Sequence, residues 1–273
     1  MPMEVAVPAE PEFDAVADPA RVAIAVKAAG KTYRTRRGEV KALEDLTFSV
    51  RANEFVTVVG PSGCGKSTIL KIIAGLLRPS SGAVEVFGKA VTAPRPDVGM
   101  VFQSPMLLKW RTVLDNVLLP VEILRRDRKA YEPAALELLK LAGIGEFAKM
   151  RPRELSGGMQ QRVAICRALV YDPTLLLMDE PFGALDAMSR DLMNVELMRI
   201  WSEQKKTTLL ITHSIQEAVF LADRVLVMSG RPGRIVAELP VGLGRPRHPR
   251  VRGTPEFLAH TNEIHRLMGV EYG

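Results

Sequence analysis

Gly60-Pro61-Ser62-Gly63-Cys64-Gly65-Lys66-Ser67-Thr68 constrains this chain more than any other stretch. It follows the strand-like run Phe55-Val56-Thr57-Val58-Val59 and leads into the apolar, helix-compatible segment Ile69 to Leu77. A loop of the form GxxxxGK[ST] between a strand and a helix is built to hold phosphate. Its glycines let the backbone curl so that successive N–H groups point inward, and the start of the helix adds partial positive charge facing an anion. In that setting Lys66 reaches the β- and γ-phosphates, while the Ser67 hydroxyl, with Thr68 beside it, offers a hard oxygen to Mg²⁺. The alternative is a plain Gly-rich turn; the flanking strand and helix favour nucleotide binding.

A chain of 273 residues accommodates one large domain or two small ones with a sizeable core. No apolar run approaches the ~20 residues needed to cross a bilayer, and the acidic, Pro-rich N-terminus does not read as a targeting segment. The chain is therefore expected to be cytosolic. Cys64 and Cys166 have no metal-ligand spacing and suggest no disulfide framework, which fits a reducing compartment. The formal net charge is +6, with local excess at Arg34, Arg36 and Arg37 and in the tail at Arg245, Arg247, Arg250 and Arg252. Such clusters can bind nucleic acid or anionic lipid, but without interleaved aromatics they are expected to be solvated surface.

Residues 1 to 20 lack periodicity and read as a flexible leader. Val22 to Val26 and Leu46 to Val50 read as strands, with Tyr33 on a polar, basic turn between them. Asn53 sits at the turn before the phosphate-loop strand, where it tolerates positive φ. Ala83 to Phe87 and Val98 to Phe102 are further strands, the second ending at Gln103. From there the pattern turns helical, over Thr112 to Leu124 and Pro133 to Ala142, as in a helical subdomain inserted at about 104–160 between parts of a sheet-based core.

Leu155-Ser156-Gly157-Gly158-Met159-Gln160 then heads a helix, where small residues and exposed N–H groups repeat the anion-binding logic of the first loop. Thr174 to Met178 suits a strand buried on both faces and delivers Asp179 and Glu180 at its end. Carboxylates there lie at the crevice where α/β sheets bind ligands. Asp179 is placed to support Mg²⁺, commonly through water, and Glu180 to orient or deprotonate the water that attacks the γ-phosphate. Thr207 to Thr212 is a strand ending at His213, Val225 to Met228 and Arg234 to Leu239 close the sheet around Pro232-Gly233, and Pro255 to Met268 is helical.

Taken in order, these residues resemble the ATP-binding subunits of ABC transporters, over about residues 21–240. The resemblance rests on the phosphate loop Gly60 to Ser67, the signature Leu155 to Gln160 and the strand ending in Asp179-Glu180. It implies an α/β fold, a P-loop NTPase core with an inserted helical subdomain and an antiparallel β subdomain, followed by a tail over 241–273. It also implies roles: Gln103 as the Q-loop glutamine near the metal and the membrane subunits, Ala184-Leu185-Asp186 as the D-loop, His213 as the switch histidine and Tyr33 as the adenine-stacking aromatic. On this resemblance the cofactors are ATP and Mg²⁺, and two ATPase subunits pair head to tail, with Ser156, Gly157, Gly158 and Gln160 of one closing on the nucleotide of the other. Catalysis would fall to Glu180, His213 and Lys66.

Val101-Phe102-Gln103-Ser104-Pro105, Leu107 to Val117 and the Arg/Pro-rich tail are similar to the nitrate/sulfonate/taurine importer branch, which usually has Pro where Lys109 stands. The implied partners are integral-membrane permease subunits and a separate solute-binding protein, at the cytoplasmic face of the membrane, with no nucleic acid. The competing readings are a soluble, non-transport ABC ATPase acting on nucleic acid or the ribosome, drawn from the net positive charge and the basic tail, and a module that only binds ATP.

Overall fold

The computed structural model describes residues 21–35, 38–183 and 185–269, without the side chains of Thr35 and Gln204. The expected leader, Arg36, Arg37, Ala184 of the D-loop and the last four residues lie outside the described residues. The described chain opens with a hairpin, β1 (Val22–Thr35) and β2 (Gly38–Arg51), then enters β3 (Phe55–Val59), the phosphate loop and α1 (Lys66–Ile73). Next come β4 (Ser81–Val86), β5 (Lys89–Ala90) and β6 (Val98–Val101). Three helices, α2 (Val113–Ile123), α3 (Arg128–Leu141) and α4 (Gly157–Leu169), separate β6 from β7 (Leu175–Asp179). The remainder is α5 (Ala187–Gln204), β8 (Thr207–Ile211), α6 (Ile215–Leu221), β9 (Arg224–Met228), β10 (Ile235–Pro240) and α7 (Pro255–Leu267).

Two sheets result, with strand orders β2-β1-β4-β5 and β10-β9-β3-β8-β7-β6. The first is antiparallel; in the second only β10 runs against its neighbour. The parallel strands β3, β7 and β8 are buried at every position. Their continuous apolar runs are what a sheet covered on both faces requires. Alternate residues face two separate cores. Val56, Val58, Leu175, Leu177, Leu209 and Ile211 join α1 and the antiparallel sheet, while Phe55, Leu176, Met178 and Leu210 join the helical side. Because the strands run in register and parallel, the carboxyl ends of β3, β6, β7 and β8 open on one edge, so the segments following them converge there.

Three sequence expectations are corrected. Tyr33 stands in β1, paired with Val40, and not on a turn; the two short strands are halves of one long hairpin. Register shifts between Val26 and Thr32, with Ala28 and Asp45 both at φ 50, let this polar stretch stay paired by bulging. α3 starts at Arg128, ahead of Pro133, because Asp127 caps it by accepting from Lys129 N at 3.0 Å. The tail arginines Arg245, Arg247 and Arg252 are not solvated surface; they are built into the fold, as described below. Asn53 does take positive φ, at 61°.

Candidate functional site

The phosphate loop is held from both sides. Gly63 and Gly65 have φ of 74° and 107°, values that L side chains reach only with strain. Lys66 is buried at 5% exposure, and its ammonium turns back on the loop, donating to the carbonyls of Gly60 at 2.7 Å and Pro61 at 3.0 Å. From outside, the β9–β10 turn braces the loop. Arg231 donates twice to the Gly63 carbonyl, from Nε at 3.2 Å and Nη2 at 3.1 Å. Gly233 lies so close that a Cβ there would stand 2.1 Å from the Cys64 carbonyl. Its own N–H donates to Ala42 O at 2.9 Å and its carbonyl accepts from Glu44 N at 3.1 Å, tying the turn to β2.

Beside the loop, Ser67 Oγ donates to Asp179 Oδ1 at 2.8 Å across the gap between α1 and β7. Burial pushes the Asp179 carboxyl above its ordinary value, with the neighbouring Glu180 adding to the effect and the Ser67 hydrogen bond opposing it. Two hard oxygen donors in contact, one on a partly desolvated carboxylate, are a donor set that suits Mg²⁺. Among the described residues there is no cluster of three or more His, Cys, Asp or Glu side chains able to hold a metal, so such an ion would have to complete its shell from substrate and water. The next residue, Glu180, is bent out of the strand at φ 44. Its Oε2 meets His213 Nδ1 at 3.1 Å and accepts from Gln103 Nε2 at 3.4 Å. Residues 103, 180 and 213 follow three different strands and meet only because those strands end together.

Tyr33 is 37% exposed, and its hydroxyl lies 3.3 Å from Thr68 Oγ1, at the mouth of the loop. Lys31 Nζ sits 5.5 Å from the ring centroid. The signature residues have a different place. Ser156 caps α4, accepting from Met159 N at 3.3 Å, and Gly157 and Gly158 form its first turn. Gln160 Nε2 donates to Pro152 O at 3.0 Å and Leu155 O at 3.2 Å, holding the turn before the helix. A Cβ on Gly157 would meet nothing within 4 Å, so the head of α4 is open for approach. Asp186 caps α5 by accepting from Ser189 N at 3.0 Å, and that bond holds its carboxyl below the usual range. The structure thus gathers Lys66, Ser67, Gln103, Asp179, Glu180 and His213, and sets Ser156, Gly157, Gly158 and Asp186 on helix heads of their own.

Sequence reasoning missed several supporting groups. Arg231 and Gly233 were visible only as part of a turn, and no local signal ties that turn to a loop about 170 positions away in the chain. Gln161, 2% exposed, donates to Phe102 O at 3.2 Å and so fixes the peptide before Gln103. Glu217 on α6 is 3% exposed, and burial pushes its carboxyl up. In the tail, Arg247 is 5% exposed, Arg245 pairs with Asp223 at 2.8 Å with its guanidinium 4.2 Å from the centroid of Trp201, and Arg252 pairs with Asp191.

Comparison with known proteins identifies the family. The family profile described as ABC transporter matches residues 43–183. The taurine import ATP-binding protein TauB of Rhizobium johnstonii is 45% identical over 236 residues, covering 84% of this chain and 89% of that protein. The nitrate import ATP-binding protein NrtD of Synechococcus elongatus is 45% identical over 221 residues, covering 80% and 81%. Among solved structures, the dimeric post-hydrolysis state of the ATP-binding cassette MJ0796 bound to ADP and Pi superposes with a TM-score of 0.70 at 32% identity, covering 81% of this chain and all of that one.

Proposed function

The chain belongs to the ABC transporter family of ATP-binding proteins, and from that premise we propose that it is the ATP-hydrolysing subunit of an importer for a small solute. One observation carries the catalytic assignment. Glu180 stands at the carboxyl edge of the sheet, in contact with His213 and Gln103, next to the Ser67–Asp179 pair. The taurine and nitrate import relatives support the importer role.

On this reading Lys66 swings from the Gly60 and Pro61 carbonyls to the phosphates, and the loop N–H groups receive the remaining charge. Tyr33 offers its ring to the base. Glu180 takes the hydrogen bond, and then the proton, of the attacking water. His213 holds the Glu180 carboxylate in line with the γ-phosphate. Mg²⁺, held by Ser67 with Asp179 and Gln103 close by, would neutralise charge developing on the phosphate oxygens. The head of α4, with its serine cap and two glycines, would close on the γ-phosphate of a second subunit, and Asp186 would face the same junction. The dimeric cassette among the similar structures supports this pairing. No helix among the described residues is long and apolar enough to cross a membrane. The import relatives support membrane subunits, at whose cytoplasmic face the chain would dock, and a solute-binding protein on the far side.

A nucleic-acid role loses its main support, because three of the four tail arginines that suggested it are engaged within the chain. The test is Glu180→Gln: turnover should fall about 10²-fold or more while ATP binding persists. Near-normal turnover would remove Glu180 from its role.

A further inference from the structure

The last three carbonyls of α6 and that of its cap residue Ala222 are all taken by two arginines of the tail. Arg247 Nη1 donates to Val219 O at 3.0 Å, Phe220 O at 3.0 Å and Ala222 O at 2.7 Å, and Arg245 Nη2 donates to Leu221 O at 2.6 Å. These are the groups a helix leaves unpaired at its C-terminus, and they carry the negative end of its dipole. The rest of the Arg247 fork folds the tail around itself, donating to Leu243 O from Nη2 at 3.0 Å and from Nε at 3.3 Å. Burial lowers the Arg247 pKa to about 10, so the group stays charged at neutral pH. Arg252 adds a third contact, its guanidinium 4.8 Å from the centroid of the Phe220 ring.

The other end of α6 is the candidate catalytic edge. His213 immediately precedes the cap Ser214, whose N–H donates to Thr212 Oγ1 at 3.0 Å and whose Oγ accepts from Glu217 N at 3.3 Å. α6 has seven residues and spans about 10 Å. A tilt at its C-terminus is therefore passed to His213 with little loss, and the contact to Glu180 is a single hydrogen bond.

We propose that Arg247, assisted by Arg245, is a positioning residue for hydrolysis: the tail clasps the C-terminus of α6 and thereby keeps His213 within reach of Glu180. The inference rests on the reading that His213 and Glu180 serve hydrolysis, and it assigns the tail a part in turnover rather than in nucleotide binding.

The experiment is steady-state ATPase of the purified full-length chain carrying Arg247→Ala, Arg247→Lys, His213→Ala and the Arg247→Ala/His213→Ala pair, with nucleotide affinity measured separately. Arg247→Ala should lower kcat about tenfold with KM and ATP affinity held within about twofold, and Lys should recover part of the loss. In the His213→Ala background the further loss should be under about twofold, because the clasp acts through the histidine. Full kcat in Arg247→Ala, or losses that multiply in the double variant, would overturn the clasp. Normal turnover in His213→Ala would instead overturn the reading of His213 on which it stands. Should Arg247→Ala fail to fold, Arg245→Ala leaves the Arg247 bonds to α6 in place and removes the Leu221 and Asp223 bonds together with the contacts to Met198, Trp201 and Phe55, and the same split and the same pairing with His213→Ala decide the matter.

Discussion

Glu217 shows how a single residue can carry a cost that the local sequence hides. It lies inside α6 with its Oε1 buried and unpaired among the described residues. Desolvation raises its pKa from 4.5, while the Thr212 hydroxyl and the charges of Arg190, His213 and Arg252 work the other way. A carboxyl whose folded pKa is raised binds its proton more tightly in the native state. Folding is then favoured below the unfolded value and loses ground as pH rises through the folded one. Glu217→Gln should therefore melt above the parent at pH 7.5, because at that pH the unfolded chain has already released the proton that the native carboxyl holds more tightly. The difference should shrink toward zero as pH falls to 4.5. A variant clearly less stable at neutral pH would mean that the ionised carboxylate is stabilising. Asp179 is raised for the same primary reason, burial, but has the Ser67 hydroxyl as a partner.

At the scale of elements, the phosphate loop depends on a turn far from it in sequence. Gly233 has space for hydrogen only, wedged between the Cys64 carbonyl, Met228 and β2. Gly233→Ala must displace the Cys64 peptide or the turn, at a cost of roughly 1–3 kcal/mol of stability. Since the displaced peptide lies in the phosphate cradle, ATP affinity should weaken about tenfold, read by equilibrium nucleotide titration. Unchanged affinity alongside a lowered melting temperature would confine the turn to stability. The β1–β2 hairpin makes a related point. Its 14-residue strands were legible only at their apolar ends, Val22 to Val26 and Leu46 to Val50. The middle is polar because one face meets solvent and bulges interrupt the alternation, so no period survives to be read.

For the whole molecule, the proposed function makes the open head of α4 and the gathered loop side chains two halves of a site that a second subunit would complete. Lys66→Ala should therefore abolish hydrolysis and also the ATP-dependent dimer, measured by light scattering on the Glu180→Gln background, where hydrolysis no longer disperses it. A Lys66→Ala chain that dimerises normally with ATP would contradict the shared site. The same scale explains the tail: its arginines read as surface charge in sequence, and only packing against α5, α6 and β3 turned them inward.

By itself the sequence determined the chemistry. The glycine spacing around Lys66, the buried run before Asp179 and Glu180, and the serine and two glycines heading α4 are local patterns, and local backbone geometry dictates which residue types fit them. Only the tertiary structure decided which of these meet. Gln103, Glu180 and His213 come together because parallel strands in register end on one edge. Arg231 and Gly233 brace the loop, and Arg245 and Arg247 cap α6, because groups far apart in the chain must satisfy one another's buried polar atoms once water is excluded. Such pairings leave no mark at short range, since either partner alone reads as an ordinary turn or an ordinary charge.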